Sequence, residues 1–161
     1  MHLNSRRKLL RGAIALAALA VFSAGAVPAV KNMAVVTSAN SKLADVPLSE
    51  LMKMCKGTNK AWPDGKNFVL VLKTPDAPEM HGVLAKLFGG GAAEAKLAIA
   101  KLNEAHQTVK IVDSDEDLLR VVDSTPGAIG IVDVYAITSS VKVLRIDGKL
   151  PFDMGYALKG N

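Results

Sequence analysis

The chain has 161 residues, of which 50% are hydrophobic and 22% charged. That balance excludes a disordered segment and is enough for one packed domain. Aromatics are only 4%, which argues against a stacking platform for single-stranded nucleic acid. The net charge of +5 is local: Arg6, Arg7, Lys8 and Arg11 precede any acid, the first being Asp45. Without those four, 16 basic residues face 15 acidic ones, so the rest of the chain presents no general basic face for nucleic acid.

Residues 1–11 are polar and basic, residues 12–22 are apolar, and Ser23-Ala-Gly-Ala26 and Val27-Pro-Ala29 offer small-residue exits. This is the layout of a secretory signal ending at residue 26 or 29. Ser5-Arg-Arg-Lys-Leu-Leu-Arg11 resembles a twin-arginine export signal, with Leu9 where Phe is commonest. The alternative is a retained inner-membrane anchor over residues 12–30, which is near the lower limit for a span. Either reading divides the chain into a signal or anchor at 1–29 and an α/β domain at 30–161, in a periplasmic, secreted or membrane-anchored bacterial protein. The single cysteine, Cys55, excludes an internal disulfide.

Residues 33–37 are apolar and β-branched, which predicts a strand, and residues 38–45 read as a loop. From Pro47 to Gly57 the spacing of Leu48, Leu51, Met52 and Cys55 predicts a helix, opened by Pro and closed by Gly. Trp62-Pro-Asp-Gly-Lys66 is a turn, and residues 67–72 are a continuous apolar run expected of a strand buried on both faces. Residues 79–88 carry Met80, Val83, Leu84, Leu87 and Phe88 at helical spacing. Gly89-Gly-Gly91 links them to an Ala/Leu-rich helix over 92–105. A short strand at 109–112 follows, then a helix capped by Ser114 with Asp115, Glu116 and Asp117 in its first turn. Thr125-Pro-Gly127 turns into a buried strand at 128–132, and 141–146 is a last strand closed by Asp147-Gly148. The order β, α, β, α, α, β, α, β, β is α/β, with a mainly parallel sheet flanked by helices.

Three segments together resemble a known family. Leu48 to Gly57 followed by Ala61-Trp-Pro-Asp-Gly-Lys66 is similar to the helix, Gly, Trp-x-Asp-Gly segment of phosphate-transporter substrate-binding proteins. Ser124-Thr-Pro-Gly-Ala-Ile-Gly-Ile-Val132 resembles that family's return strand, and Val141-Lys-Val-Leu-Arg-Ile-Asp-Gly148 its closing strand. The resemblance covers residues 33–151 and implies a single lobe of the two-lobed periplasmic-binding-protein fold, the second in chain order, with residues 33–37 entering from the hinge. It also implies a non-enzymatic role as a solute-binding component of an ABC transporter.

In that family this lobe meets phosphate at a strand-to-helix turn, with an Arg followed by Ser-Gly-Thr at a helix start. The resemblance carries that role onto Lys73, Thr74 and Asp76. Here Lys73 replaces the Arg, and Ala77-Pro-Glu79 replaces Ser-Gly-Thr. Two hydroxyls and one N–H are lost and a negative charge is added. The competing reading is a helix start with Asp76 as cap and Pro78 in the first turn.

Other motifs carry no chemistry. Gly89-Gly-Gly91 ends a helix and lacks the Lys-Ser/Thr of a phosphate loop. His81 and His106 have no third ligand at metal spacing, residues 113–117 lack calcium-loop spacing, and no nucleophile is paired with a base. No enzyme activity, metal or cofactor is expected. The expected partners are a small inorganic anion held weakly, a second copy, or an envelope protein docking where the other lobe would sit. Nucleic acid is not expected, and a membrane is met only through a retained N-terminal segment.

Overall fold

The computed structural model describes residues 31–106 and 108–160. The signal or anchor reading falls on residues outside these. Strands β1 (Met33–Ser38), β3 (Val69–Lys73) and β5 (Ala128–Asp133) are the apolar runs of the sequence, and they form the middle of a five-stranded sheet. Strand β4 (Val109–Val112) lies at one edge and β6 (Val141–Val143) at the other, giving the order β4-β3-β5-β1-β6. Pairing of β3 with β4 and with β5 is parallel, whereas β1 pairs antiparallel with β5 and β6. Four strands therefore point one way and β1 alone runs against them, as a mainly parallel sheet requires.

Both faces of the sheet are covered, which is why its central strands read as unbroken apolar runs. Alternation along the strands divides the core in two. Met33, Val35, Leu70, Leu72, Ile129 and Ile131 face helices α1 (Leu48–Cys55), α2 (His81–Phe88) and α3 (Ala92–His106). Ala34, Val36, Val71, Ala128 and Val132 face helix α4 (Asp115–Ser124) through Leu118, Leu119 and Val122. Gly130 lets α4 come close, since a Cβ there would lie 2.5 Å from Leu118 Cδ2.

Local signals act where the sequence places them. Gly57 (φ 75°) ends α1 and Gly89 (φ 81°) ends α2 in the left-handed region. Ser114 Oγ accepts from the N–H of Asp117 and caps α4. The two turns that carry the family resemblance touch each other: Trp62 Nε1 donates to the carbonyl of Gly127 at 2.8 Å. Trp62 is buried edge-on against Phe68, with ring centroids 5.6 Å apart. Both turns lie at the amino ends of β3 and β5, so these motifs hold the fold together.

Expectations are corrected at four points. The strand expected over 141–146 is interrupted. Leu144 still donates to Val35, but Arg145 donates to Ala44 and β7 (Arg145–Ile146) pairs in parallel with β2 (Asp45–Val46). That short pair buries Val46 and Ile146, so the expected loop ends in a strand. The helix expected over 79–88 opens instead as a 3₁₀ turn, Pro78–Met80, before α2. Asp76 does not cap it: Ala77 takes the cap position in extended conformation, as a residue before proline does, and makes no side-chain capping hydrogen bond. The segment after Gly148 adds two core residues, Tyr156 and Leu158, and Gly160 returns to donate to the Lys31 carbonyl. Entry and exit of the described domain are thus adjacent, joined by the antiparallel bridge Asn32–Lys159.

Candidate functional site

In an open α/β sheet the ligand crevice lies beyond the carboxyl ends of the parallel strands. Here that edge is formed by Lys73 at the end of β3, Asp133 at the end of β5, and the turn from β4 into α4. Parallel register places Lys73 opposite Val112, and Asp115 follows Val112 by three residues. The result is an ion network. Lys73 Nζ lies 2.9 Å from Asp115 Oδ1 and 3.2 Å from Glu79 Oε1. Lys31 Nζ stands 3.9 Å from both Glu79 and Asp133.

Side-chain exposure decides what this network can do. Lys73 and Glu79 are only 15% and 16% exposed. Burial lowers the Lys73 pKa, but hydrogen bonds and charge from Asp115 and Glu79 outweigh it and leave it above the ordinary lysine value. The Glu79 carboxyl is held below the usual glutamate range. Its own backbone N–H contributes most, and the ammonium groups of Lys73 and Lys31 add to it against the effect of burial. Two cations face three carboxylates, so the edge carries net negative charge.

The three residues expected to hold an anion have different partners. Lys73 is committed to Glu79 and Asp115. Thr74 is exposed, and its carbonyl accepts the N–H of Ala77 at 3.1 Å in a turn. Asp76 turns away to Lys96 on α3, at 2.7 Å. The start of α4 is also occupied. Ser114 Oγ bonds both the N–H and a carboxylate oxygen of Asp117, and Asp115, Glu116 and Asp117 offset the helix dipole. Sequence reasoning assigned Asp115 to capping and missed it as the partner of Lys73. The two lie 42 positions apart, and only the pairing of β3 with β4 brings them together.

No family model matches the chain, and no curated protein matches it by sequence. Solved structures do match. An ABC-type phosphate transport receptor from Vibrio cholerae superposes with a TM-score of 0.57 at 14% identity, over 81% of this chain and 54% of that one. The fold is that of phosphate-transport binding proteins. PstS from Borrelia burgdorferi gives a TM-score of 0.59 at 14% identity, over 82% and 55% of the two chains. A phosphate-binding protein from Stenotrophomonas maltophilia gives 0.58 at 12%, over 76% and 40%. The chain thus spans about half the length of the first two. Among the described residues no cluster of three or more His, Cys, Asp or Glu is placed to hold a metal, and no helix is long and apolar enough to cross a membrane.

Proposed function

We propose that this chain is an exported, non-enzymatic lobe of solute-binding-protein type whose anion site has been closed by its own carboxylates. One observation carries the reading: Lys73 is held between Glu79 and Asp115 at the edge where the fold would present a ligand. A phosphate entering there meets net negative charge, and displacing either carboxylate breaks a shielded ion pair. Pro78 offers no N–H and Ala77 no hydroxyl to compensate. Isothermal titration with inorganic phosphate at low salt tests this. The expected result is no affinity tighter than about millimolar, near −4 kcal/mol. Micromolar binding abolished by Lys73→Ala overturns the reading and restores Lys73, Thr74 and Asp76 as ligand contacts.

A second reading, docking of a partner at the same end of the domain, is favoured by one further observation. Tyr135, just past the end of β5, is 87% exposed, and Phe152 beside it is 67% exposed, with ring centroids 6.4 Å apart. Exposed aromatic pairs of this kind are common anchors of protein interfaces. Solution mass over a concentration range, with capture of envelope proteins, checks it. A monomer at every concentration with no captured partner counts against it.

A further inference from the structure

A second concavity lies at the opposite end of the sheet. It is a cavity of about 400 Å³ between α1 and α3, bordered by Thr108 just before β4. That volume suits a small molecule. Its origin is compositional: Ala98 and Ala105 on α3 are too short to fill the space beside α1. Phe88 and Leu102 supply the accessible part of the remaining apolar lining, above Met54 and Cys55, which are buried. Gly57 keeps the floor open, since a Cβ there would already be 3.0 Å from Leu102 Cδ2.

The rim is chemically different from the floor. Lys56, Lys60 and Lys101 border the cavity, and all three are exposed. Among the described residues none of them forms an ion pair with Asp or Glu. The Lys60 ammonium instead lies 2.7 Å from His106 Nε2, to which it donates. Glu50 on α1 is engaged by Asn59 and Lys53. The carboxyl ends of α1 and α3 point here and contribute about −0.5 charge each, which three ammonium groups exceed. An apolar floor under an uncompensated cationic rim matches a ligand with one alkyl tail and one anionic head.

We infer that this cavity binds an amphiphilic monoanion, an alkyl carboxylate of medium chain length. The tail lies on Phe88, Ala98 and Leu102, and the head meets Lys56, Lys60 and Lys101. The site is independent of the Lys73 edge, so its test stands or falls separately from phosphate binding.

The probe is decanoate below its micellar concentration, titrated calorimetrically into the full chain. One molecule binds per chain, with a dissociation constant on the order of 100 µM, reasonable for a ligand of that size. Across butanoate, hexanoate, octanoate and decanoate each added methylene tightens binding about fourfold until the cavity is full. Lys56→Gln with Lys101→Gln weakens decanoate at least fivefold, whereas Lys110→Gln, outside the cavity, leaves it unchanged. Ala98→Trp, which fills the cavity from a partly exposed position, abolishes binding while the circular dichroism stays native. Decanoate raises the melting temperature, as a ligand of the folded state must. The inference is overturned if decanoate does not bind the folded chain, if decylammonium binds equally well, or if the double lysine variant binds decanoate unchanged. A melting temperature lowered by decanoate shows detergent action and overturns it too.

Discussion

The Lys73 ammonium and the Asp115 carboxylate meet at 2.9 Å across the junction of β3 with the β4–α4 turn. This contact pairs the cation expected to attract an anion with a carboxylate of the neighbouring turn, and the proposed closure of the site rests on it. Its partner pair with Glu79 completes a bridge from the sheet to the first turn before α2.

Replacing Lys73 with Gln leaves two carboxylates facing each other without their shared cation. Stability should fall by about 1–2 kcal/mol, between the exposed and buried ion-pair limits. Urea unfolding of the two proteins measures the difference. An unchanged midpoint would show that Lys73 is not committed to this network.

The same network sets a pH dependence. Glu79 has a lowered folded pKa, so its contribution is present above the ordinary glutamate value of 4.5 and is lost as pH falls through the lower folded value. Lys73 has a raised pKa, so its contribution is complete below 10.5 and is lost only as pH rises through the higher folded value. Stability should therefore decline on the acid side below about pH 4.5. The decline should be shallower in Glu79→Gln, as denaturant midpoints from pH 3 to 7 would show.

Gly127 lies in the Thr-Pro-Gly segment whose sequence resembles the transporter family's return strand, and its role here is steric. Its φ is 80°, and a Cβ would lie 2.3 Å from the Asn67 carbonyl oxygen. Gly127→Ala should cost about 2–4 kcal/mol. Gly65 has a similar φ of 83° but open space around it, so Gly65→Ala should cost only about 1–2 kcal/mol. Thermal melts of the two variants separate backbone strain from collision.

Cys55 is buried on α1, and burial pushes its thiol pKa up to about 12. At pH 8 a thiol reagent should not modify the native protein and should react completely once the chain is unfolded. Rapid modification of the native form would mean that α1 opens readily.

Tyr135→Ser and Phe152→Ser remove exposed aromatic surface only. Each should change stability by less than about 0.5 kcal/mol. Any self-association should weaken in both variants, measurable by sedimentation over a range of concentrations.

Much of the fold was legible because its signals are local. The runs that became β3 and β5 are apolar at every position between turn residues, which only a doubly covered strand tolerates. Ser114, Pro47 and Gly57 mark helix ends through chemistry confined to a few neighbouring residues. The β2–β7 pair was not legible. Asp45–Val46 is too short to show a period, and its partner lies about a hundred residues on. Asp76 read as a cap because its residue type and position fit. In the folded chain Lys96, contributed by α3, holds its carboxylate instead.

The sequence by itself determined the class of sheet, the helices that cover it and the turns that close it, since hydrophobic period and cap chemistry act over a few residues. It also placed Lys73 at a strand end, with Glu79 close behind. Whether that lysine faced a ligand or was neutralised could not be read there. The pairing that supports neutralisation comes from the parallel register that sets Lys73 against Val112 and so brings Asp115 within 2.9 Å. Electrostatic partners are chosen by distance in space, and at this edge of the sheet only the tertiary structure sets that distance.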